Sequence, residues 1–485
     1  MTGTAPQRSD AAITPVAWRA AAVGVLVGGA AAGFLAGRRR LGRIVPLATA
    51  GVAIGCAVPV AVASRRPPIS PESAAAALEA AATPPTFTVL VGARDEAGVL
   101  SQLVRDVARQ DYRTASGEPL FELVVVDDRS KDASGDAVKG AARECGIENL
   151  TRVIRREGAG LPDGKGAALT AAQPSECRGD IVVVLDADAR IEPWFLRRAA
   201  GYFAAGAAAV TARRRILDSG SSWLAGAQGD EQTLDGELNR GRWALGGCSE
   251  FRGNGIMIKR DLLAAAGGWK AAALTEDIDL SSRVAAIAGE RVAWAIDTQV
   301  WEEPVRDWRG LWRQRLRWAE GGFRRAFEHG PAVILSRRLS AASRLDFIAY
   351  AGQLAVPAVA AGAAAAALAT GRKRTLVAIL AGYLGVSAGL AWDSLRWESD
   401  PDGRPLPRGE RLRRALRVTF FNGLWLLVVP RALLNLALRG GPVRYEKMEH
   451  EGSAKTNWEP GDAAGRHGSP EPGGCAIARP AAIAR

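Results

Sequence analysis

The sequence predicts an α/β domain on a mostly parallel sheet, held between N- and C-terminal transmembrane helices. Short β-branched runs alternate with helical periods over residues 86–300, aspartates close two of those runs, and uncharged stretches of spanning length lie on both sides. With 485 residues the chain has room for a core of about 200–250 residues plus appended segments.

Residues 1–15 read as a tail, 16–66 as a transmembrane hairpin and 67–85 as a linker. Within the hairpin, residues 20–37 and 44–64 carry no charge, and at ~1.5 Å per residue each is long enough to cross a hydrocarbon core of ~30 Å. A cleaved signal peptide is the alternative for the first run, but no convincing cleavage site precedes the second. Arg38, Arg39, Arg40 and Arg43 would face outward if the next domain is cytoplasmic, against the positive-inside tendency.

The strands follow. FTVLVGA (87–93) and FELVVVDD (121–128) are short, apolar and β-branched, and a helical period through Leu100, Leu103, Val104 and Val107 separates them. IVVVLDAD (181–188) is a third buried strand, preceded by a small-residue helix around 167–172. Ligands of such sheets bind at the carboxyl ends of the strands, where Asp127, Asp128, Asp186 and Asp188 fall. Four carboxylates at one edge repel unless a cation or donor groups sit among them.

Residues 301–344 read as interfacial helices carrying QRLRW (314–318), and 345–440 as transmembrane or interfacial helices. Runs 347–370 and 375–392 are uncharged, while 418–430 continues past Arg431 into ALLNLAL as a tilted span or an amphipathic helix. The tail, 441–485, loses all periodicity after 452 and is expected to be disordered.

Composition excludes several classes. Cys56, Cys145, Cys177, Cys248 and Cys475 form no CxxC pair and the chain has three histidines, which argues against a disulfide framework and a Cys/His zinc site. The net charge of +12 comes from arginines gathered beside apolar segments, a membrane-flank bias rather than a nucleic-acid patch.

The chemistry lies in four short motifs. In DAD (186–188) the alternation of a strand points Asp186 and Asp188 the same way, a donor pair for Mg²⁺ or Mn²⁺ bridging a diphosphate. In TED, Asp277 is the candidate general base, with Glu276 beside it at the catalytic centre and Thr275 as an N-cap. In QRLRW, Arg315 and Arg317 suit diphosphate oxygens, Trp318 can stack on an acceptor sugar ring, and Gln314 can bond donor or acceptor hydroxyls. DGKGAAL (163–169) lacks the spacing of a Walker loop.

In this order the motifs resemble those of the membrane-embedded family 2 glycosyltransferases, which include cellulose, hyaluronan and poly-N-acetylglucosamine synthases. The resemblance covers residues 85–450, ending in RYEKMEHEG, and implies a GT-A fold. It assigns donor binding to Asp127, Asp128, Lys165, Asp186 and Arg317, and it makes Gln314, Arg317 and Trp318 the defining residues of QxxRW. Gly253 and Asn254, in CSEFRGNGIMIKRDLL (248–263), resemble an acceptor-side loop, in a form that departs from the cellulose synthases.

The implied activity is inverting, metal-dependent transfer from a nucleotide-sugar, UDP-linked, to a growing polysaccharide, in the cytoplasmic membrane with the catalytic domain in the cytoplasm and room for an export partner. Single-sugar transfer to a membrane lipid (a polyprenyl phosphate, glycolipid or carotenoid) is the rival among enzymes. A transporter or an inactive scaffold is the rival from another class.

Overall fold

The computed structural model describes residues 60–439 except 159, 401 and 402, with a few positions between 19 and 58. The expected N-terminal hairpin lies almost wholly outside the described residues, and the tail after 440 entirely so.

Eight strands form one sheet in the order β3-β2-β1-β4-β7-β6-β8-β5. Its first half is parallel: β1 (Phe87–Ala93) lies between β2 (Phe121–Asp128) and β4 (Ile181–Leu185), and β3 (Thr151–Arg156) flanks β2. The second half mixes directions, with β7 (Ile256–Lys259) antiparallel to both β4 and β6 (Ala209–Ile216), and β8 (Val292–Glu302) parallel to β6. The two-residue β5 (Arg190–Ile191) closes the edge on β8. This is the mostly parallel sheet of the expected GT-A fold.

β1, β2 and β4 are buried on both faces, which is why they read as continuous apolar runs rather than as alternating ones. On one side, α1 (Pro71–Glu79), α2 (Ala97–Ala108), α3 (Ser134–Glu144) and α5 (Phe195–Ala204) cover a core built around Phe87, Val89, Val125 and Tyr202. On the other, the short α4 (Lys165–Leu169), α7 (Arg260–Ala265) and α8 (Glu276–Arg283) pack over Leu90, Val124, Val184 and Phe251.

One buried ion pair fixes the turn after DAD. The Asp106 carboxylate, on α2, accepts from Arg190 at 2.6 and 3.3 Å and from the backbone N–H of Ile191 at 3.4 Å. Both side chains are almost wholly removed from water.

Beyond the sheet run the long α6 (Trp223–Ala244) and α9 (Trp308–Leu335), which carries QRLRW. Then come α10 (Ala341–Ala369), α11 (Lys373–Ser394), α12 (Arg408–Asn422) and α13 (Trp425–Arg439). Among the described residues three segments are long and apolar enough to cross a membrane, Ala341–Ala369, Lys373–Trp397 and Arg408–Leu438. The last joins α12 to α13 through Gly423 and Leu424, so the run left open as tilted span or amphipathic helix is a broken one.

Asp106→Ala leaves the Arg190 guanidinium buried without its carboxylate. We expect a loss of about 3–5 kcal/mol in unfolding free energy, read by denaturant unfolding of the solubilised protein.

Candidate active site

The carboxyl ends of β1, β2 and β4, the TED turn and α9 enclose a chamber that continues between the apolar helices, with a total volume of about 2150 Å³. Its polar wall is made by Asp128, Lys165, Asp186, Asp188, Glu276 and Asp277. Lys165 reaches this wall because Gly164 (φ +112°) turns the chain into α4 and Gly166 lets α4 lie against the backbone of Lys270 and the side chain of Glu276. Its ammonium donates to Asp186 Oδ1 at 2.5 Å and to the Gly253 carbonyl at 2.8 Å, and stands 3.6 Å from Glu276. Burial alone would depress the Lys165 pKa, but Asp186 and then Glu276 raise it above its ordinary value.

Glu276 and Asp277 open α8, where the helix end favours acidic groups. Burial pushes both carboxyls above the ordinary carboxylate range; Lys165 opposes this for Glu276, and for Asp277 the Ile278 N–H, Lys165, Arg252 and Arg214 oppose it. Thr275 is the N-cap by its backbone and its side chain makes no capping bond, a departure from the expected hydroxyl cap. That side chain fits against Gly321 of α9, where a Cβ would collide with it, so the TED turn and the QRLRW helix touch directly.

On the wall of α9, Gln314, Arg317 and Trp318 line the chamber. Their spacing of three and four puts them on one helix face. Arg315 points elsewhere: it is buried against Glu231 of α6, and its guanidinium lies 4.1 Å from the centroid of the Trp318 ring. The expectation that Arg315 would be offered to a diphosphate is therefore corrected, because its charge is committed to a buried pair.

Gly253 also lines the chamber. It and Gly255 hold φ of +77° and +73°, and a Cβ on Gly255 would strike Ala212, so GNG here needs its glycines. Asn254 is fully buried and stands behind the wall, accepting from the Asp186 N–H at 3.2 Å. Asp127 is likewise behind it, held by Arg155 at 2.5 Å and the Ser130 N–H at 3.1 Å, whereas Asp128 lines the chamber and is held by Arg129 and Arg156 at 2.9 and 2.7 Å.

Asp186 and Asp188 fit a hard divalent cation of the Mg²⁺ or Mn²⁺ kind. Such ions take one or two carboxylates and complete their shell with water and substrate phosphates. Among the described residues no group of three or more His, Cys, Asp or Glu side chains forms a metal cage, so an ion here would need the phosphates of its nucleotide. The Lys165 ammonium on Asp186 supplies positive charge at the same point.

Sequence reasoning missed Arg214, Arg252 and Glu302, all of which line the chamber. Arg214 pairs with Glu302 at 2.5 Å and lies 5.6 Å from the Trp318 ring centroid, while Arg213 and Arg215 point to the other face of β6 and hold Glu398. Three arginines in a buried strand were the available signal, because alternation must send the middle one to the opposite face. Arg252 precedes GNG directly and pairs with Asp235 at 2.8 Å.

The sequence over residues 84–321 matches the family described as "Glycosyltransferase like family 2". The beta-monoglucosyldiacylglycerol synthase of Synechocystis sp. is 30% identical over 372 residues, 76% of this chain and 75% of that protein. The protein of the same name from Trichormus variabilis is 31% identical over 278 residues, 55% of each chain, so this chain spans just over half of it. Among solved structures, the mannosyltransferase PcManGT from Pyrobaculum calidifontis in complex with GDP-Man and Mn²⁺ is similar with a TM-score of 0.48 and 21% identity, over 84% of this chain and 99% of that one.

Two outcomes are expected from the site. Since burial raises Asp277 and Glu276, activity that needs Asp277 ionised will rise with pH along a limb above the ordinary aspartate range of about 4. Lys165→Met removes a cation that favours the ionised pair and moves this limb further up, as a pH profile of kcat/KM would read. The same carboxyls stabilise the fold fully below their unfolded pKa, and that contribution is lost as pH rises through the raised folded values. Separately, Arg315→Ala costs about 3–5 kcal/mol of stability by stranding Glu231, as denaturant unfolding would read, and Arg317→Ala raises the donor KM.

Proposed function

The chain belongs to glycosyltransferase family 2, and from that premise we propose that it transfers a single sugar from a nucleotide-sugar to the hydroxyl of a membrane lipid. The observation that carries this reading is the continuity of the chamber: a wall of carboxylates and arginines runs without a break into aliphatic side chains between α10 and α11. A reacting hydroxyl on a hydrocarbon anchor is the ligand that needs both environments in one cavity. The product named for the relatives, a diacylglycerol glucoside, is a sugar joined to such an anchor.

The donor, UDP-linked on the motif resemblance, lies along the strand ends. Asp128 serves its base and ribose; the expected donor role of Asp127 is corrected, because its carboxylate lies behind the wall and is committed to Arg155 and the Ser130 N–H. Arg317 and Lys165 pair with the diphosphate. Asp186 and Asp188 would hold Mg²⁺ or Mn²⁺, which when bound offsets the charge that gathers on the departing nucleotide.

Asp277 accepts the proton of the acceptor hydroxyl as that oxygen attacks the anomeric carbon. The bond from that carbon to the diphosphate oxygen breaks with its electron pair, the nucleoside diphosphate leaves, and the configuration inverts. Glu276 keeps Lys165 in place between the two acids. Trp318 offers its ring face to the sugar, Gln314 bonds hydroxyls, and Gly253 with Asn254 shapes the acceptor side. The domain would work at the cytoplasmic face of the cytoplasmic membrane, where nucleotide-sugars are available. A processive polysaccharide synthase is the second reading, and QRLRW is the feature that favours it.

The test supplies membranes containing the wild-type chain or Asp277→Asn with labelled UDP- and GDP-sugars and Mg²⁺ or Mn²⁺, and sizes the product. An organic-soluble product whose rate falls by about 10²–10⁴-fold in the variant, with donor affinity retained, is expected. A long water-soluble polymer would instead establish the second reading.

A further inference from the structure

The chamber does not stop at its polar wall. Its wall on α10 runs from Leu345 to Ala363, eighteen positions or about 27 Å at ~1.5 Å per residue, and on the facing α11 it includes Ile379, Gly382 and Val386. Both helices belong to the segments able to cross a membrane. Two glycines mark open space along this groove: a Cβ on Gly352 or on Gly382 would meet no atom of the described residues within 4 Å.

The groove is chemically suited to hydrocarbon. Of the polar groups that reach it, Asn422 donates to Ser387 at 2.9 Å and Tyr383 to the Asn422 carbonyl at 3.4 Å, which leaves Gln353 as an additional amide in an otherwise aliphatic wall. A sugar polymer passing this way would lose water without finding a line of hydroxyl partners.

The neck above the groove is charged but balanced. Arg242 is held by Asp346 at 2.9 Å, Arg252 by Asp235 at 2.8 Å, and Arg325 by Glu250. Tyr350 of α10 joins them, accepting from Arg252 at 2.9 Å under the Arg242 guanidinium, 3.7 Å from the ring centroid. A lipid phosphate arriving here would meet carboxylates already paired with these arginines, and, being an anion, it would need no general base. A neutral hydroxyl is the acceptor that gives Asp277 a proton to take.

We propose that the groove between α10 and α11 holds the acyl chains of a neutral lipid alcohol, and that the Arg252–Tyr350 neck delivers its hydroxyl to Asp277. The proposal rests on the lipid-acceptor reading above.

The test uses the full chain in detergent micelles with its nucleotide-sugar donor and three acceptor probes: dioleoylglycerol, dioctanoylglycerol and a polyprenyl phosphate. Gly352→Leu and Gly382→Leu put a side chain into open space in the groove, and leucine is the better helix former. The expected result is transfer to the two diacylglycerols and not to the phosphate, with each variant lowering the dioleoyl to dioctanoyl ratio of kcat/KM by about tenfold. An unchanged ratio in both variants, with diacylglycerol still glycosylated, overturns the groove and leaves the lipid reading standing. Preference for the polyprenyl phosphate overturns the neutral headgroup. A polymer formed without any added lipid would remove the lipid reading and this proposal together.

Discussion

The Arg315–Glu231 pair is the contact on which the geometry of the site depends. It joins α9 to α6 in a region with almost no water, and the other Glu231 oxygen accepts from the Trp425 indole of α13 at 3.1 Å. Three helices, one of them in a candidate membrane span, are thereby fixed at one point. On the neighbouring face of α9 stand Gln314, Arg317 and Trp318, so a rotation of this helix would withdraw all three from the chamber wall. The stack of Arg315 beneath Trp318 adds a cation–π contact of about 0.5–2 kcal/mol that sets the ring plane.

Charge balance is the second constraint. The strand ends, the DAD turn and the TED turn bring carboxylates to a common wall, where like charges raise one another's pKa unless cations intervene. Lys165 intervenes between Asp186 and Glu276, and the charges of Arg252 on the GNG loop and Arg214 on the sheet, each paired with another carboxylate, act on Asp277 from a distance. Poised in this way, Asp277 is a stronger base than an exposed aspartate, while Lys165 keeps the wall from being uniformly negative.

The glycosyltransferase domain is tied to the candidate membrane spans through buried charge. Glu398, between α11 and α12, receives Arg213 and Arg215 from β6 at 2.6 and 2.5 Å and Arg414 from α12 at 3.4 Å, and Thr233 of α6 donates to it at 2.9 Å. Burial alone would raise its pKa, but the three guanidiniums hold it well below the usual carboxylate range. Asp230 of α6 repeats the device with Arg414 and Arg417. Such pairs are costly to break because either partner left alone is an uncompensated charge, so α12 is held against α6 and the chamber keeps its continuity with the groove.

The α/β class, the parallel strands at 87–93 and 121–128, the start of the third at 181, the candidate spans after residue 340 and the family were legible in the sequence, because strand and membrane periods are local properties of residue order. So was the cluster of acids, since the carboxyl ends of parallel strands converge. The third strand ends at Leu185 rather than at 188, so Asp186 and Asp188 lie on the turn after it and not on one face of a strand. Which side chains face the chamber was decided only by tertiary packing. Arg315 and Arg317 are two residues apart on one helix, yet one is committed to Glu231 while the other lines the wall. Asp127 and Asp128 are adjacent on one strand, and alternation sends one to the wall and the other behind it. Arg252 and Tyr350 meet across 98 positions of sequence, and nothing in the local pattern of either marks the neck they form. Charge pairing and helix rotation are settled by partners distant in the chain, and that is why the wall, the neck and the groove had to be seen folded.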